Sequence, residues 1–178
     1  VNMDLIAGLP ADTPAGFRRT VEEVLAMAPE NITVHTLALK KGARLRQEET
    51  PLPSGTDVAA MLDFAWAALR QAGYLPYYLY RQKFMSGSFE NVGWCKPGYE
   101  CLYNIYIMEE VHTILSAGAG GSTKLVAPGA RHGKIERIFN YKYPTEYIDR
   151  FDTILARKEG VKQFYDQYPN CGESARPQ

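Results

Sequence analysis

Within its first forty residues the chain spells strand, capped helix, strand, and that order restricts the folds open to it more than any other feature. Residues 1–9, VNMDLIAGL, are a short apolar run with one acid inside, bounded by Gly8 and Pro10, which suits a buried strand. Thr13 followed by Pro14 marks a helix start, because a hydroxyl can cap free N–H groups and Pro is favoured at the first helical position. Phe17, Val21, Val24, Leu25 and Ala28 then fall on one helical face before Pro29 ends the helix. Ile32 to Leu39, ITVHTLAL, is rich in β-branched residues and of strand length. Such a βαβ unit predicts two parallel neighbouring strands joined by a right-handed crossover. Parallel sheets need cover on both faces and more strands than these two. Further βα units are therefore expected upstream. The chain opens on Val1 with no turn or cap before the apolar run, as if a strand had been cut, so the natural protein is expected to extend beyond it.

Ser54 and Asp57 form a capping-box pattern, with Thr56 as a competing cap. Val58, Met61, Leu62, Ala65, Leu69 and Ala72 continue it as an amphipathic helix stopped at Gly73. From Tyr74 the pattern changes. Tyr77 to Met85, Leu102 to Met108, Val111 to Leu115, Thr123 to Ala127 and Lys134 to Asn140 read as strands between Gly- and Pro-bearing turns, a mostly antiparallel segment with no helix inside it. Thr145 can cap a helix whose face carries Ile148, Phe151, Ile154 and Leu155, and Gly160 is expected to separate it from a last helical piece ending near Pro169. Residues 171–178, CGESARPQ, read as a disordered tail.

Lys plus Arg and Asp plus Glu number 20 each, a balance that argues against phosphate-backbone binding as the main function, so no nucleic-acid partner is expected. The most apolar long window, Val58 to Ala72, is interrupted by Asp63 and Arg70 and is too short to span a bilayer. No signal pattern opens the chain, so a cytoplasmic protein without a membrane partner is expected. Cys95, Cys101 and Cys171 are odd in number, and their spacings fit neither a zinc site nor a redox pair, so reduced thiols are expected. His112 and His132 add no metal pattern.

The sharpest motif is DLIAGLP at residues 4–10. An ionised carboxylate on a buried strand is costly without a partner, whereas at the C-terminal rim of a barrel strand it can face a ligand. Asp4 is thus either a ligand contact or a structural acid bonded to nearby amides. His35, on the second strand, is either close to that ligand or a satisfied core imidazole. Gly118, Gly120 and Gly121 with Lys124 suggest a phosphate loop, but the GxxxxGK[ST] order is missing and no helix follows, so a tight β turn or bulge is expected. Arg81, Lys83 and Lys96, interleaved with Tyr77, Tyr78, Tyr80 and Tyr99, could meet the carboxylates and rings of a tetrapyrrole, or form an ordinary solvated face.

MDLIAGLPADTPAGF and PENITVHTLAL, then YLYRQKFMSGSFENVGWCKPGYECLYNIYIMEE and ILSAGAGGSTKL, resemble the C-terminal part of the radical S-adenosylmethionine coproporphyrinogen III dehydrogenase family, over Val1 to about Tyr168. The resemblance implies an α/β plus α+β fold: the last βα units of a partial (β/α) barrel in residues 1–73, then a small, mostly antiparallel β domain with C-terminal helices in 74–170. It implies S-adenosylmethionine and a [4Fe–4S] cluster as cofactors, a tetrapyrrole substrate, and a missing N-terminal barrel half as partner. It places the cofactor's nucleoside against Asp4, Leu37 and Ala38; Leu37 stands where relatives often have Tyr, so backbone rather than side chain would make that contact. A carboxylate accepts hydrogen bonds from ribose hydroxyls, and small apolar groups suit an adenine ring.

In such enzymes a CxxxCxxC loop holds the cluster, which cleaves S-adenosylmethionine to a radical that abstracts hydrogen from a substrate propionate, giving decarboxylation to a vinyl group. This chain has no such spacing, so it supplies no metal ligand and no catalytic residue, and alone it is expected to be inactive. The resemblance also leaves open a haem chaperone or a non-catalytic remnant.

Overall fold

A computed structural model of the chain describes residues 1–39, 45, 51–81, 89–128 and 134–168. Two compact units result, Val1–Met108 and Glu109–Gln178.

In the first unit β1 (Asn2–Ala7), α1 (Pro14–Met27) and β2 (Asn31–Thr36) make the expected βαβ, and β1 pairs β2 in parallel with Asp4 opposite Thr33. The Thr13 hydroxyl accepts from the Gly16 amide at 3.0 Å, and Pro14 opens α1. The helix closes on Ala28 at φ 51, left-handed for a non-glycine residue, with its amide bonded back to the Leu25 carbonyl. α2 (Gly55–Gln71) begins with the full capping box: Ser54 Oγ accepts from the Asp57 amide at 3.1 Å, and an Asp57 oxygen accepts from the Ser54 amide. Thr56 does not cap. Ser54→Ala is expected to cost about 1 kcal/mol, read as a fall in the urea midpoint of the first unit, and an unchanged midpoint would discount the box.

The sheet then departs from expectation. β3 (Leu75–Tyr80) and β4 (Asn91–Cys95) join it in the order β1-β2-β4-β3, with β4 antiparallel to both neighbours. The strand expected over Tyr77–Met85 starts two residues earlier and ends by Tyr80, and residues 82–88 lie outside the described set. The division expected after residue 73 therefore crosses a single sheet, whose compact unit runs on to Met108. Leu102–Met108, expected as a strand, is helix α3 (Leu102–Glu109), and none of its residues is buried. Between Val111 and Leu115 only Ile114 makes a β-bridge, to Lys124.

One face of the sheet is packed. Leu5, Ala7, Ile32, Val34 and Trp94 meet Phe17, Val21 and Val24 of α1 and Val58, Met61, Ala65 and Leu69 of α2 in one core. Alternation along a strand sends the intervening residues to the other face. Asn2, Asp4 and Ile6 are exposed there.

The second unit pairs β5 (Ser122–Val126) with β6 (Ile135–Phe139), close to the expected spans, and adds α4 (Pro144–Asp149) and α5 (Phe151–Asp166). Its core is Leu125, Ala127 and Phe164. Pro144, not Thr145, opens α4, with Tyr143 at the cap and no side-chain capping bond. Of the expected helical face only Ile154 is buried; Ile148, Phe151 and Leu155 are exposed. Gly160 does not divide the helices. It sits inside α5 where a Cβ would come 3.1 Å from Ile138 Cδ1, so the glycine permits close approach to β6. Residues 171–178 lie outside the described set.

Candidate functional site

The candidate site is the sheet face opposite α1 and α2. Tyr78 and Tyr80 on β3 point to this face together with Thr33 and His35 on β2 and Asn2 and Asp4 on β1. Tyr78 pairs with Gly93 of β4, and its ring occupies the space over that glycine; a Cβ at residue 93 would fall inside the ring's van der Waals envelope. The Tyr78 and Tyr80 rings lie parallel within 9°, with centroids 6.3 Å apart.

Hydrogen bonds link these residues across three strands. Asn2 Nδ2 donates to Asp4 Oδ1 at 2.7 Å, and Asn2 Oδ1 accepts from the Thr33 hydroxyl at 3.3 Å. The same Thr33 oxygen lies 3.2 Å from the Tyr78 hydroxyl. His35 Nε2 faces Asp4 Oδ1 at 3.8 Å, ion-pair range but beyond a hydrogen bond, while His35 Nδ1 lies 3.3 Å from the Tyr80 hydroxyl. Burial, first, holds the Tyr78 phenol above its usual range, and the charges of its tyrosine neighbours and Asp4 push the same way. The phenol therefore remains protonated and a donor at neutral pH. The group offers an acceptor carboxylate, an imidazole and an aromatic wall on one face, suited to holding a ligand with hydroxyls and flat rings.

Each residue singled out in the sequence can now be placed. Asp4 is the third residue of the six in β1, so it lies mid-strand rather than at the rim, and its side chain is 60% exposed. Leu37 and Ala38 are half-buried just past the end of β2, and the Leu37 amide donates to the Ala7 carbonyl at 3.0 Å. They stand four to five residues along the strand from Thr33, the partner of Asp4, or about 13 Å and more at the usual strand rise. The structure thus puts Asp4 beside His35 but does not bring it against Leu37 or Ala38. Thr36 Oγ1, next to Leu37, is buried without a hydrogen-bond partner among the described residues.

The basic residues considered for a tetrapyrrole are engaged elsewhere. Arg81 pairs with Glu90 at 2.9 Å, and Lys96 Nζ donates to the Ala28 carbonyl at 2.7 Å; Lys83 lies outside the described residues. The glycine segment is a turn, as expected: Gly118 and Gly120 have φ of 89° and 72°, and the amides of Gly118, Gly120 and Gly121 donate to the Tyr147 hydroxyl and to the carbonyls of Tyr141 and Gly118. Its three glycine amides are therefore spent within the protein. Lys124 pairs instead with Glu110 at 3.9 Å. Sequence reasoning missed Asn2, Thr33 and Gly93. The alternation Asn2, Asp4, Ile6 against Met3, Leu5, Ala7 was the available signal for the first.

The two described cysteines do not fit an iron–sulfur cluster, and Cys171 lies outside the described residues. Cys95 is buried on β4, where burial pushes its thiol up to about 11, far from the thiolate that a metal requires, and Cys101 is exposed six residues on. Among the described residues no group of three or more His, Cys, Asp or Glu could hold a metal, and no helix is long and apolar enough to cross a membrane.

No family model matches the chain. Its fold is nevertheless similar to a solved one: coproporphyrinogen III oxidase HemN from Escherichia coli, described as a radical SAM enzyme, superposes with a TM-score of 0.58 and 21% identity over 85% of this chain and 34% of that one. The oxygen-independent coproporphyrinogen-III oxidase-like protein HemZ of Bacillus subtilis is 41% identical over 160 residues, 89% of this chain and 32% of the relative. The chain belongs to this oxygen-independent coproporphyrinogen III oxidase-like family and corresponds to its C-terminal portion. The haem chaperone HemW of Mycobacterium tuberculosis is 27% identical over 155 residues, 84% of this chain and 34% of the chaperone. The chain therefore spans about a third of the length of the curated relatives it matches.

Proposed function

We propose that this chain is the closing part of a cytosolic radical SAM enzyme that decarboxylates coproporphyrinogen III oxidatively to protoporphyrinogen IX in haem synthesis, and that it is inactive alone. In this reading residues 1–73 supply the last βα units of a partial barrel, β3 and β4 extend their sheet, the chain beyond them to residue 170 forms a following domain, and the sheet face opposite α1 and α2 is the barrel's inner wall. Asp4 accepts hydrogen bonds from the ribose hydroxyls of S-adenosylmethionine, and backbone at Leu37 and Ala38 packs on its adenine. The observation that carries this is Asp4 itself, a carboxylate 60% exposed on the sheet face opposite α1 and α2. When bound, the cofactor and its cluster supply the hydrogen abstraction from a substrate propionate. The cluster ligands belong to a segment outside this chain, so the residues here bind and orient and take no part in the radical step.

The experiment uses the full-length protein, loaded with cluster under anaerobic conditions and given coproporphyrinogen III. Vinyl-group formation is expected, and Asp4→Asn should lower the affinity for S-adenosylhomocysteine about tenfold, as the loss of a charged hydrogen-bond acceptor does. The likeness to a haem chaperone favours one second reading, haem delivery. Haem transfer to an apo-cytochrome without vinyl formation would select it and reject the first.

A further inference from the structure

Both neighbours of the Asp4 carboxylate lie on the same oxygen. Asn2 Nδ2 and His35 Nε2 approach Oδ1 at 2.7 and 3.8 Å, while Oδ2 has no hydrogen-bond or ion-pair partner among the described residues. A carboxylate only accepts, so at 3.8 Å the approach of His35 to Asp4 is favourable when the facing nitrogen carries the proton. With the proton on Nε2, the other nitrogen, Nδ1, is an acceptor, and the Tyr80 hydroxyl at 3.3 Å is placed to donate to it. Tyr80 is fixed in turn by its stack on Tyr78, which rests over Gly93 and meets Thr33, and Thr33 bonds to Asn2. The ring of contacts closes on Asp4 from both sides, through Asn2 on its own strand and through His35 on the next.

We propose that His35, backed by Tyr80, and Asn2 are positioning residues that clamp one oxygen of Asp4 and turn the other toward a hydroxyl-bearing ligand on the open face. That ligand is a ribose if the reading of Asp4 above holds, and to that extent this inference rests on it. Without the clamp a mid-strand aspartate that is 60% exposed samples several rotamers, and each hydroxyl it binds must first order it. Gln at position 35 keeps an N–H donor close to where Nε2 stands, whereas Leu keeps only bulk.

Two measurements test this. In the 178-residue chain with nitrogen-labelled histidine, in the neutral form that the ring nitrogen shifts themselves report, His35 is expected to hold the Nε2–H tautomer, and Asp4→Asn and Tyr80→Phe should each shift its ring nitrogens. A ring that averages both tautomers and ignores both substitutions overturns the clamp. In the full-length protein, His35→Leu should weaken S-adenosylhomocysteine binding about tenfold, with His35→Gln within about threefold of the parent. If Asp4→Asn weakens binding while His35→Leu and His35→Gln leave it unchanged, the positioning role is lost and the nucleoside reading stands. If Asp4→Asn changes nothing, both are overturned.

Discussion

Gly93→Val should destabilise the first unit by about 3 kcal/mol, the upper range for overpacking a filled site, and lower its urea midpoint by about 1–2 M. Among the described glycines no other would bring a Cβ so close to a neighbour. A side chain at residue 93 competes with the Tyr78 ring for the same volume, and the ring cannot retreat freely because it stacks on Tyr80 and crosses edge-on to Tyr77 at 4.8 Å. The companion Gly93→Val/Tyr78→Ala should recover much of the loss, because the truncated residue gives back the space, and a double-mutant cycle measures the coupling. Equal destabilisation with and without Tyr78 would mean that Gly93 is needed for its backbone alone. Restored stability should not restore the contact between Thr33 and the Tyr78 hydroxyl, so the open face remains altered in the double variant.

A still larger effect is expected at the next residue. Trp94 points to the opposite, packed face, is 1% exposed, and stands opposite Ile32 of β2. Its ring meets Trp66 of α2 edge to face at 4.7 Å. Trp94→Ala should cost about 3–5 kcal/mol, most of the stability of a small domain, since the cavity cannot close between a sheet and two helices. Trp66, 45% exposed, offers the control. Trp66→Ala removes the aromatic pair but little buried volume, and should cost about 1 kcal/mol. Thermal unfolding of both variants separates the two contributions; similar losses would place the pair, rather than the core position, at the centre of that layer.

The parts of the fold legible in the sequence were those where local chemistry and tertiary packing agree. Thr13 with Pro14 and Ser54 with Asp57 fix two helix starts by bonds within four residues, and the apolar spacing of α1 and α2 needs no distant partner to be recognised. β4 was not legible, because NVGWC carries a glycine and no clean alternation. Its extended form comes from being paired on both sides, by β2 and β3. α3 fails in the opposite sense: LYNIYIM is rich in β-branched and aromatic residues, yet its amides bond helically, and with no buried face it has no period to read. For the site, the DLIAGLP motif pointed to Asp4 but not to its depth along the strand. His35, which faces it, and Tyr80, which meets His35, are 31 and 76 residues away from it in sequence and come near it only through strand register.

The strict alternation along β1 separates two kinds of mutational freedom. Met3, Leu5 and Ala7 answer to the helices, while Asn2, Asp4 and Ile6 answer to the side chains of the opposite face. Evolution can therefore rewrite the second set one residue at a time without disturbing the layer that keeps the sheet folded. The scaffold of this strand can stay recognisable while the residues on its other side change.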